Sequence, residues 1–144
     1  MNRTDDNGVV LIDGAKGALT RLIGGLPDGS QVGLMVYGHR VPNDDRANGC
    51  RDTELVVPVG PLDRQGLLDA VDGVEAKGFT PIGQSLDQAS AALPDGRGTV
   101  ILVSVGEDTC APPVPCGVGA SLVAGGGGVG VLWVGFVGVV GGGA

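Results

Sequence analysis

The sequence has little positive charge. Its 144 residues include 9 Lys and Arg against 16 Asp and Glu, so the formal net charge is −7. Proteins that bind nucleic acid neutralise phosphates with a basic stripe of Lys and Arg. The sequence offers no such stripe, which excludes nucleic acid as a partner. Its length is that of one ordinary domain and is sufficient to bury a core.

Histidine and cysteine are also scarce. His39 is the only histidine, the cysteines number 3, and no two of them form a CxxC pair. This pattern excludes a zinc site, which needs four such ligands at close spacings. Cys110 and Cys116 lie on either side of the short stretch APPVP. A disulfide between them is the pairing that the spacing favours, and it would leave Cys50 as a free thiol.

Charge disappears from the C-terminal part of the chain. No Asp, Glu, Lys or Arg follows Asp108, and the tail reads VAGGGGVGVLWVGFVGVVGGGA. Such a run reaches the roughly 20 residues of a membrane span. Its many glycines and the absence of flanking Lys or Arg argue against a span, so we expect no membrane association. The N-terminus lacks the basic and apolar regions of a signal peptide, although this does not exclude export.

Hydrophobic spacing predicts alternating helices and strands. Apolar residues recur every three or four positions in Ile12–Leu26, which predicts an amphipathic helix, and both faces of the next segment, 31–38, are apolar, as in a buried parallel strand. A polar excursion follows, and then a short strand that Pro58 restricts to an edge. Helices are predicted at 62–74 and 82–93, and a buried strand at 96–105. This order predicts an α/β protein with a parallel sheet.

Two loops, GFTPIGQSL and SVGEDTC, carry the residues most suited to a site. Both should lie at the carboxyl edge of the sheet, where α/β proteins bind ligands, so both can reach one site. Thr80 offers a hydroxyl there, but a Thr before a Pro is also a frequent helix start, and the simpler interpretation is an N-cap. Glu107 and Asp108 are acidic, and the simpler interpretation of this pair is a solvated turn.

These stretches resemble the von Willebrand factor type A (VWA) domain, in particular bacterial members described as calcium-activated chloride channel homologues. The resemblance runs from Asp13 to Cys116 through IDGAKGALTRLI, LPDGSQVGLMVYGHR, CRDTELVVPVGPLD, GFTPIGQSL and ILVSVGEDTC. It implies a Rossmann-like, doubly wound, mostly parallel sheet and a protein-binding or adhesion module outside the cytoplasm, rather than an enzyme. Family members hold Mg²⁺ or another divalent cation in a metal-ion-dependent adhesion site (MIDAS).

The ligand pattern of the family is largely missing from this sequence. Thr80 matches the family's threonine, but Val105 stands where the pattern SDGEDT has its aspartate, and no Asp-x-Ser-x-Ser motif precedes Asp13. Mg²⁺ needs a near-octahedral set of oxygens, which one hydroxyl cannot supply. We therefore expect that no metal ion is bound here.

The missing motif follows the first strand in the family, so the chain is interpreted as beginning after that strand. Residues 1–116 are then a partial VWA domain, and residues 117–144 a degenerate, low-complexity continuation. Because the first strand is central in this fold, its loss should leave the strands at 31–38 and 99–104 with unpaired ladders.

Three functions remain open at this point. The first is a module that binds an unidentified protein ligand, and the second is an inactive structural fragment. The third is an α/β nucleotide-binding domain, in which AGGGGVGVL would bind phosphate. That segment lacks the GK[ST] of a P-loop and does not follow an early strand, so this alternative is the weakest.

Overall fold

The computed structural model describes residues 11–75, 77–93, 98–103, 108–124, 128–132 and 136–141. Five helices and five strands lie in these ranges. In chain order they are α1 (Leu11–Gly25), β1 (Gln31–Tyr37), α2 (Arg46–Gly49), β2 (Thr53–Pro61), α3 (Arg64–Asp72), α4 (Ile82–Ala92), β3 (Thr99–Val103), α5 (Pro115–Ala124), β4 (Gly128–Leu132) and β5 (Phe136–Gly141). The mixed α/β class expected from the sequence is confirmed.

The sheet has the strand order β2-β1-β5-β3-β4. Only β3 and β4 pair in parallel, whereas β1–β2, β1–β5 and β3–β5 are antiparallel. The predicted parallel arrangement therefore holds for one pair alone. Two of the antiparallel pairs arise because β5 lies between β1 and β3 and runs opposite to both, and the third joins β1 to the edge strand β2.

The position of β5 also corrects the expectation of unpaired ladders. β5 pairs with β1 through Met35 and Val137 and with β3 through Leu102 and Val137, in a regular register. Both neighbours thus have partners on each side, because a segment from the C-terminal part of the chain fills the gap expected from a missing strand.

Two hydrophobic cores form on the two faces of the sheet, because side chains of β1 point alternately to each face. Val32, Leu34 and Val36 pack with α1 and α3 in one core, where Leu19 and Val71 are almost fully buried. Met35 and Tyr37 pack with α4 in the other. The apolar character of both faces of β1, read from the sequence, is the cause of this arrangement.

Element boundaries agree closely with the sequence pattern up to β3, except for the short helix α2, which lies in the segment expected to be a polar excursion. The helix expected at Ile12–Leu26 is α1, and the strand expected to be restricted by Pro58 is the edge strand β2, whose register with β1 is irregular. Pro58 is exposed, as an edge position allows. Within the described ranges, no helix is both long enough and apolar enough to cross a membrane.

Candidate functional site

Three loop segments converge at the end of the sheet where β1 and β3 finish. Gly38 follows β1 directly, and its carbonyl accepts hydrogen bonds from the N–H groups of Lys77 (2.9 Å) and Gly78 (3.0 Å). Gly38 has φ of +65°, and a Cβ there would lie 2.4 Å from the Phe79 carbonyl oxygen. Glycine is therefore required at this position, because it permits both the backbone angle and the close approach of the second loop.

The second and third loops are joined by reciprocal bonds between two threonines. The Thr80 N–H donates to the Thr109 hydroxyl (2.8 Å), and the Thr109 N–H donates to the Thr80 carbonyl (3.0 Å). The expectation that the GFTPIGQSL and SVGEDTC loops reach one place is thus confirmed. Val105 and Glu107 lie outside the described residues. We call segments 38–54, 77–83 and 108–110 the loop edge.

Asp108 has a structural role that the sequence analysis did not assign. One of its carboxylate oxygens accepts a hydrogen bond from the N–H of Gly83 (2.8 Å), in the first turn of α4, and the other accepts from the N–H of Cys110 (2.5 Å). A carboxylate at a helix N-terminus accepts a hydrogen bond from a free N–H group and interacts favourably with the positive end of the helix dipole. The turn expected at Asp108 is therefore present, but its carboxylate is part-buried and bonds the start of α4 rather than being free in solvent.

The same geometry corrects the N-cap assigned to Thr80. The cap position of α4 is Pro81, which makes no side-chain capping bond. The cap is instead supplied from a distant part of the sequence by Asp108. One local signal was present, since an Asp side chain often bonds the backbone N–H two residues further along, as Asp108 does with Cys110.

The disulfide of the structure differs from the one favoured by spacing. Cys50 and Cys110 form the bridge, with a Cα–Cα distance of 5.4 Å and a sequence separation of 60, whereas Cys116 is an exposed free thiol. The reason is that Cys50 caps the C-terminus of α2 at the loop edge beside the third loop, while Cys116 lies in the first turn of α5. The short separation of Cys110 and Cys116 in sequence therefore predicted the wrong disulfide, because the pairing is set by the tertiary contact between α2 and the third loop.

A buried carboxylate, Asp52, holds the first loop together. One Asp52 oxygen accepts from the N–H groups of Arg40 (2.7 Å) and Val41 (2.8 Å), and the other accepts from Arg40 Nε (2.8 Å). Burial opposes ionisation of Asp52, but the bonds from Val41 and Arg40 outweigh it and lower its pKa below the usual 3.8. The same contact raises the pKa of Arg40, since its guanidinium donates to Asp52.

His39 lies beside this pair. Its Nε2 is 3.0 Å from Glu54 Oε2, and its Nδ1 is 3.7 Å from Asp52 Oδ1. Arg40 also contacts Glu54, at 3.2 Å. His39 and Arg40 follow β1, whereas Asp52 and Glu54 lie at the start of β2. Their side chains therefore link the two strand ends.

The loop edge has no convergent set of metal ligands among the described residues. No group of three or more His, Cys, Asp or Glu side chains there or elsewhere in the described ranges is placed to hold a metal ion. Both oxygens of Asp108 are bound to backbone N–H groups, and its neighbour Thr80 adds only a hydroxyl. The arrangement is therefore suited to holding the loops rigidly, and a cation would have to compete for the Asp108 oxygens.

A separate cavity of about 450 Å³ lies between α4 and α5. Its described lining contains one ionisable side chain, Asp87, and consists of Asp87, Ser90, Pro113, Val114, Gly117, Val118 and Ser121. A phosphate site needs backbone N–H groups or cations to balance the anion. The single acidic group in this lining disfavours a nucleotide.

Two proteins of Bacillus subtilis (strain 168) are similar to this chain. It is 26% identical to "Uncharacterized protein YwmC" over 110 residues, which cover 72% of this chain and 48% of that protein. It is 27% identical to "Uncharacterized protein YwmD" over 131 residues, which cover 75% and 58%. The chain thus spans about half the length of the curated relatives it matches. No protein-family model and no solved structure matches it.

Proposed function

We propose that this chain is a protein-binding module of the VWA kind, with a Rossmann-like architecture, and that its loop edge engages a protein ligand without a divalent cation. The single observation that carries the proposal is the convergence of the three loop segments at one end of the sheet. Binding surfaces are commonly built from loops that a rigid scaffold positions. Here the Cys50–Cys110 disulfide and the Thr80–Thr109 bonds fix those loops to one another.

The metal-free part of the proposal follows from Asp108. In the resemblance, the aspartate ligand of the family falls at Val105, and the substitute carboxylate of Asp108 already accepts from the N–H groups of Gly83 and Cys110. Mg²⁺ demands near-ideal octahedral oxygen ligation. The module therefore relies on its own side chains and backbone at the loop edge.

The disulfide also supports an extracytoplasmic location. Such bonds form and persist mainly in secreted, periplasmic or cell-surface proteins, because cytosolic thiols are kept reduced. We accordingly place the module outside the cytoplasm, where an adhesion or binding role is exercised.

Capture experiments on the oxidised chain test the proposal. The biotinylated protein is incubated with the extracellular and cell-surface proteins of its source organism, in Mg²⁺ and again in EDTA. Ala47→Tyr adds bulk to the exposed surface of α2 at the loop edge, and Ala91→Tyr adds the same bulk to the exposed side of α4. We expect a protein ligand that binds equally in both solutions, loses at least tenfold in affinity with Ala47→Tyr and is unaffected by Ala91→Tyr.

Three results would overturn the proposal. A ligand that requires Mg²⁺, together with saturable Mg²⁺ or Mn²⁺ binding by calorimetry, would restore a metal site. Saturable binding of ATP would favour the nucleotide-binding alternative. The absence of any ligand sensitive to Ala47→Tyr would leave the chain as a structural fragment.

A further inference from the structure

We propose that Arg46, held over the ring of Phe79, is the contact through which the loop edge recognises a carboxylate of its protein partner. The inference rests on the proposed function, because it names the chemistry of the partner at that same surface. It concerns a residue pair outside the threonine and aspartate positions of the family pattern.

Arg46 is held in place by one contact of its own side chain and by two restraints on α2. Its Cζ lies 5.7 Å from the centroid of the Phe79 ring, a distance at which a cation is attracted by the ring face. The Asp45 carboxylate accepts from the N–H of Asn48 and caps the short helix α2, in which Arg46 is the first residue. The helix continues into Cys50, and the disulfide ties Cys50 to the third loop.

Phe79 is held equally firmly. A Cβ added to Gly49 would lie 2.4 Å from a Phe79 ring carbon, so the ring packs against the backbone of α2. Arg46 and Gly49 are three residues apart and thus lie on the same side of the helix. The ring therefore covers α2 from Gly49 to Arg46, and the guanidinium is placed before any partner arrives.

The guanidinium of Arg46 is available to a partner. The residue is exposed, and among the described residues no carboxylate forms an ion pair with it. A cation–π contact with Phe79 uses none of the guanidinium N–H groups as hydrogen-bond donors to oxygen. Those N–H groups match the two oxygens of a carboxylate in a bidentate geometry.

Three described carboxylates of the loop edge are bound to other groups, and a fourth, Asp44, is exposed. Asp45 bonds the N–H (3.1 Å) and side-chain Nδ2 (2.6 Å) of Asn48, and these bonds lower its pKa. Asp52 bonds Arg40 and Val41, and Asp108 bonds Gly83 and Cys110. Among the described residues, none of these four carboxylates forms an ion pair with Arg46, on a chain whose net charge is −7. Charge complementarity at this point favours an acidic group on the partner.

Arginine and aromatic residues are also the residue types that dominate binding energy at protein interfaces. Burial of the Arg46–Phe79 pair under a partner would exclude water and strengthen its attraction for a carboxylate. A second exposed arginine, Arg51, lies on the same segment beside Cys50. Its substitution shows whether the partner needs Arg46 in particular or only positive charge in this region.

The test uses two ligands, so that it does not depend on capture of the partner. The first is an acetylated and amidated hexapeptide with two central Asp residues, and its control has Asn at both positions. Nitrogen-15 NMR follows the Nε–H signal of Arg46 during titration of the oxidised chain. We expect the Asp peptide to shift this signal in a salt-sensitive manner and the Asn peptide to leave it unchanged.

The second ligand is the partner captured by the loop edge. Arg46→Gln should weaken its binding at least tenfold, and Arg46→Lys should restore part of the loss because it keeps the charge but not the fork of donors. Phe79→Leu should weaken it two- to fivefold. Arg21→Gln, which removes an exposed arginine from α1, is the matched control and should have no effect. Arg51→Gln should have a smaller effect than Arg46→Gln.

Failure of the inference can be distinguished from failure of the proposed function. A partner that binds Arg46→Gln and Arg21→Gln equally well would overturn the inference while the binding module stands. Equal shifts with the Asp and Asn peptides would also overturn it. If no partner is captured, the proposed function fails, and the peptide titration still decides whether Arg46 binds a carboxylate.

Discussion

The loop edge and the C-terminal strands β4 and β5 are stabilised by different means. The loop edge depends on particular residues: a disulfide, a buried aspartate, a capping aspartate and glycines that permit close backbone contacts. β4 and β5 belong to a segment made almost entirely of Gly and Val without charge, and their described interactions are ladder pairings to β1 and β3. The comparison shows that a strand such as β5 can occupy the centre of a sheet even though its Gly- and Val-rich sequence specifies few side-chain contacts.

The largest expected effect at the loop edge comes from its disulfide. Replacing both Cys50 and Cys110 with Ala should lower the free energy of unfolding by about 4 kcal/mol, the chain-entropy value for a loop of roughly 60 residues. Urea unfolding of the variant measures this loss. Cys116→Ala removes the exposed free thiol and is the control, which should stay within about 0.5 kcal/mol of the parent. An equal loss in both variants would mean that the bridge does not support the loop edge.

Asp52 should have the next largest effect. Asp52→Asn replaces a buried carboxylate that accepts from two backbone N–H groups and from Arg40 Nε, and the lost charge-assisted hydrogen bonds should cost about 2 to 3 kcal/mol. Asp87→Asn, at an exposed position on α4, is the control for the same chemical change and should cost little.

The pH dependence of stability gives a second measurement of the same contact. Because the pKa of Asp52 is lowered in the folded chain, its contribution is fully present above the unfolded value near 3.8 and is lost as pH falls through the lower folded value. Urea unfolding at several pH values should show a smaller acid-dependent loss for Asp52→Asn than for the parent. An unchanged slope would contradict the assignment of Asp52.

A proline in β5 tests whether the C-terminal strands are stabilised by their ladder pairings. Val139 faces Gly33 of β1 and Val100 of β3 in register, so Val139→Pro must remove a ladder hydrogen bond on one side or the other. We expect a loss of about 2 kcal/mol from the unsatisfied group. Val114→Pro, in an exposed loop outside the sheet, is the control. No loss with Val139→Pro would mean that β5 does not occupy the centre of the sheet.

The smallest effect concerns the start of α4. Asp108→Ala removes the acceptor of the Gly83 N–H and should cost about 1 kcal/mol, as other caps do. Thr80→Ala should cost less than about 0.5 kcal/mol if Thr80 has no capping role. Chemical unfolding of the two variants separates these roles, and the reverse order would restore Thr80 as the cap.

Most elements before β4 were predictable because their signals are local. The apolar spacing in α1 and the two-sided apolar pattern of β1 each depend on neighbours within a few residues, and both elements lie where the pattern placed them. The meeting of the Thr80 and Thr109 loops was also predictable, since helices and strands that alternate bring such loops to one sheet edge.

The disulfide, the cap of α4 and the strand order could not be obtained in this way. Cys50 and Cys110 are 60 residues apart, and Asp108 is 25 residues from Gly83, so no local spacing reports these contacts. The role of Val105, expected at the strand tip, stays a prediction, as do the metal-free binding role and the extracytoplasmic location.

By itself, the sequence determined that α1, β1, β2, α3, α4 and β3 form and which loop residues have polar side chains, because these properties depend on periodicity and residue type. The tertiary structure alone decided that β5 runs antiparallel between β1 and β3, that Cys50 pairs with Cys110, and that Asp108 caps α4. These outcomes depend on which distant groups come within hydrogen-bonding or covalent reach, and only the folded chain sets those distances.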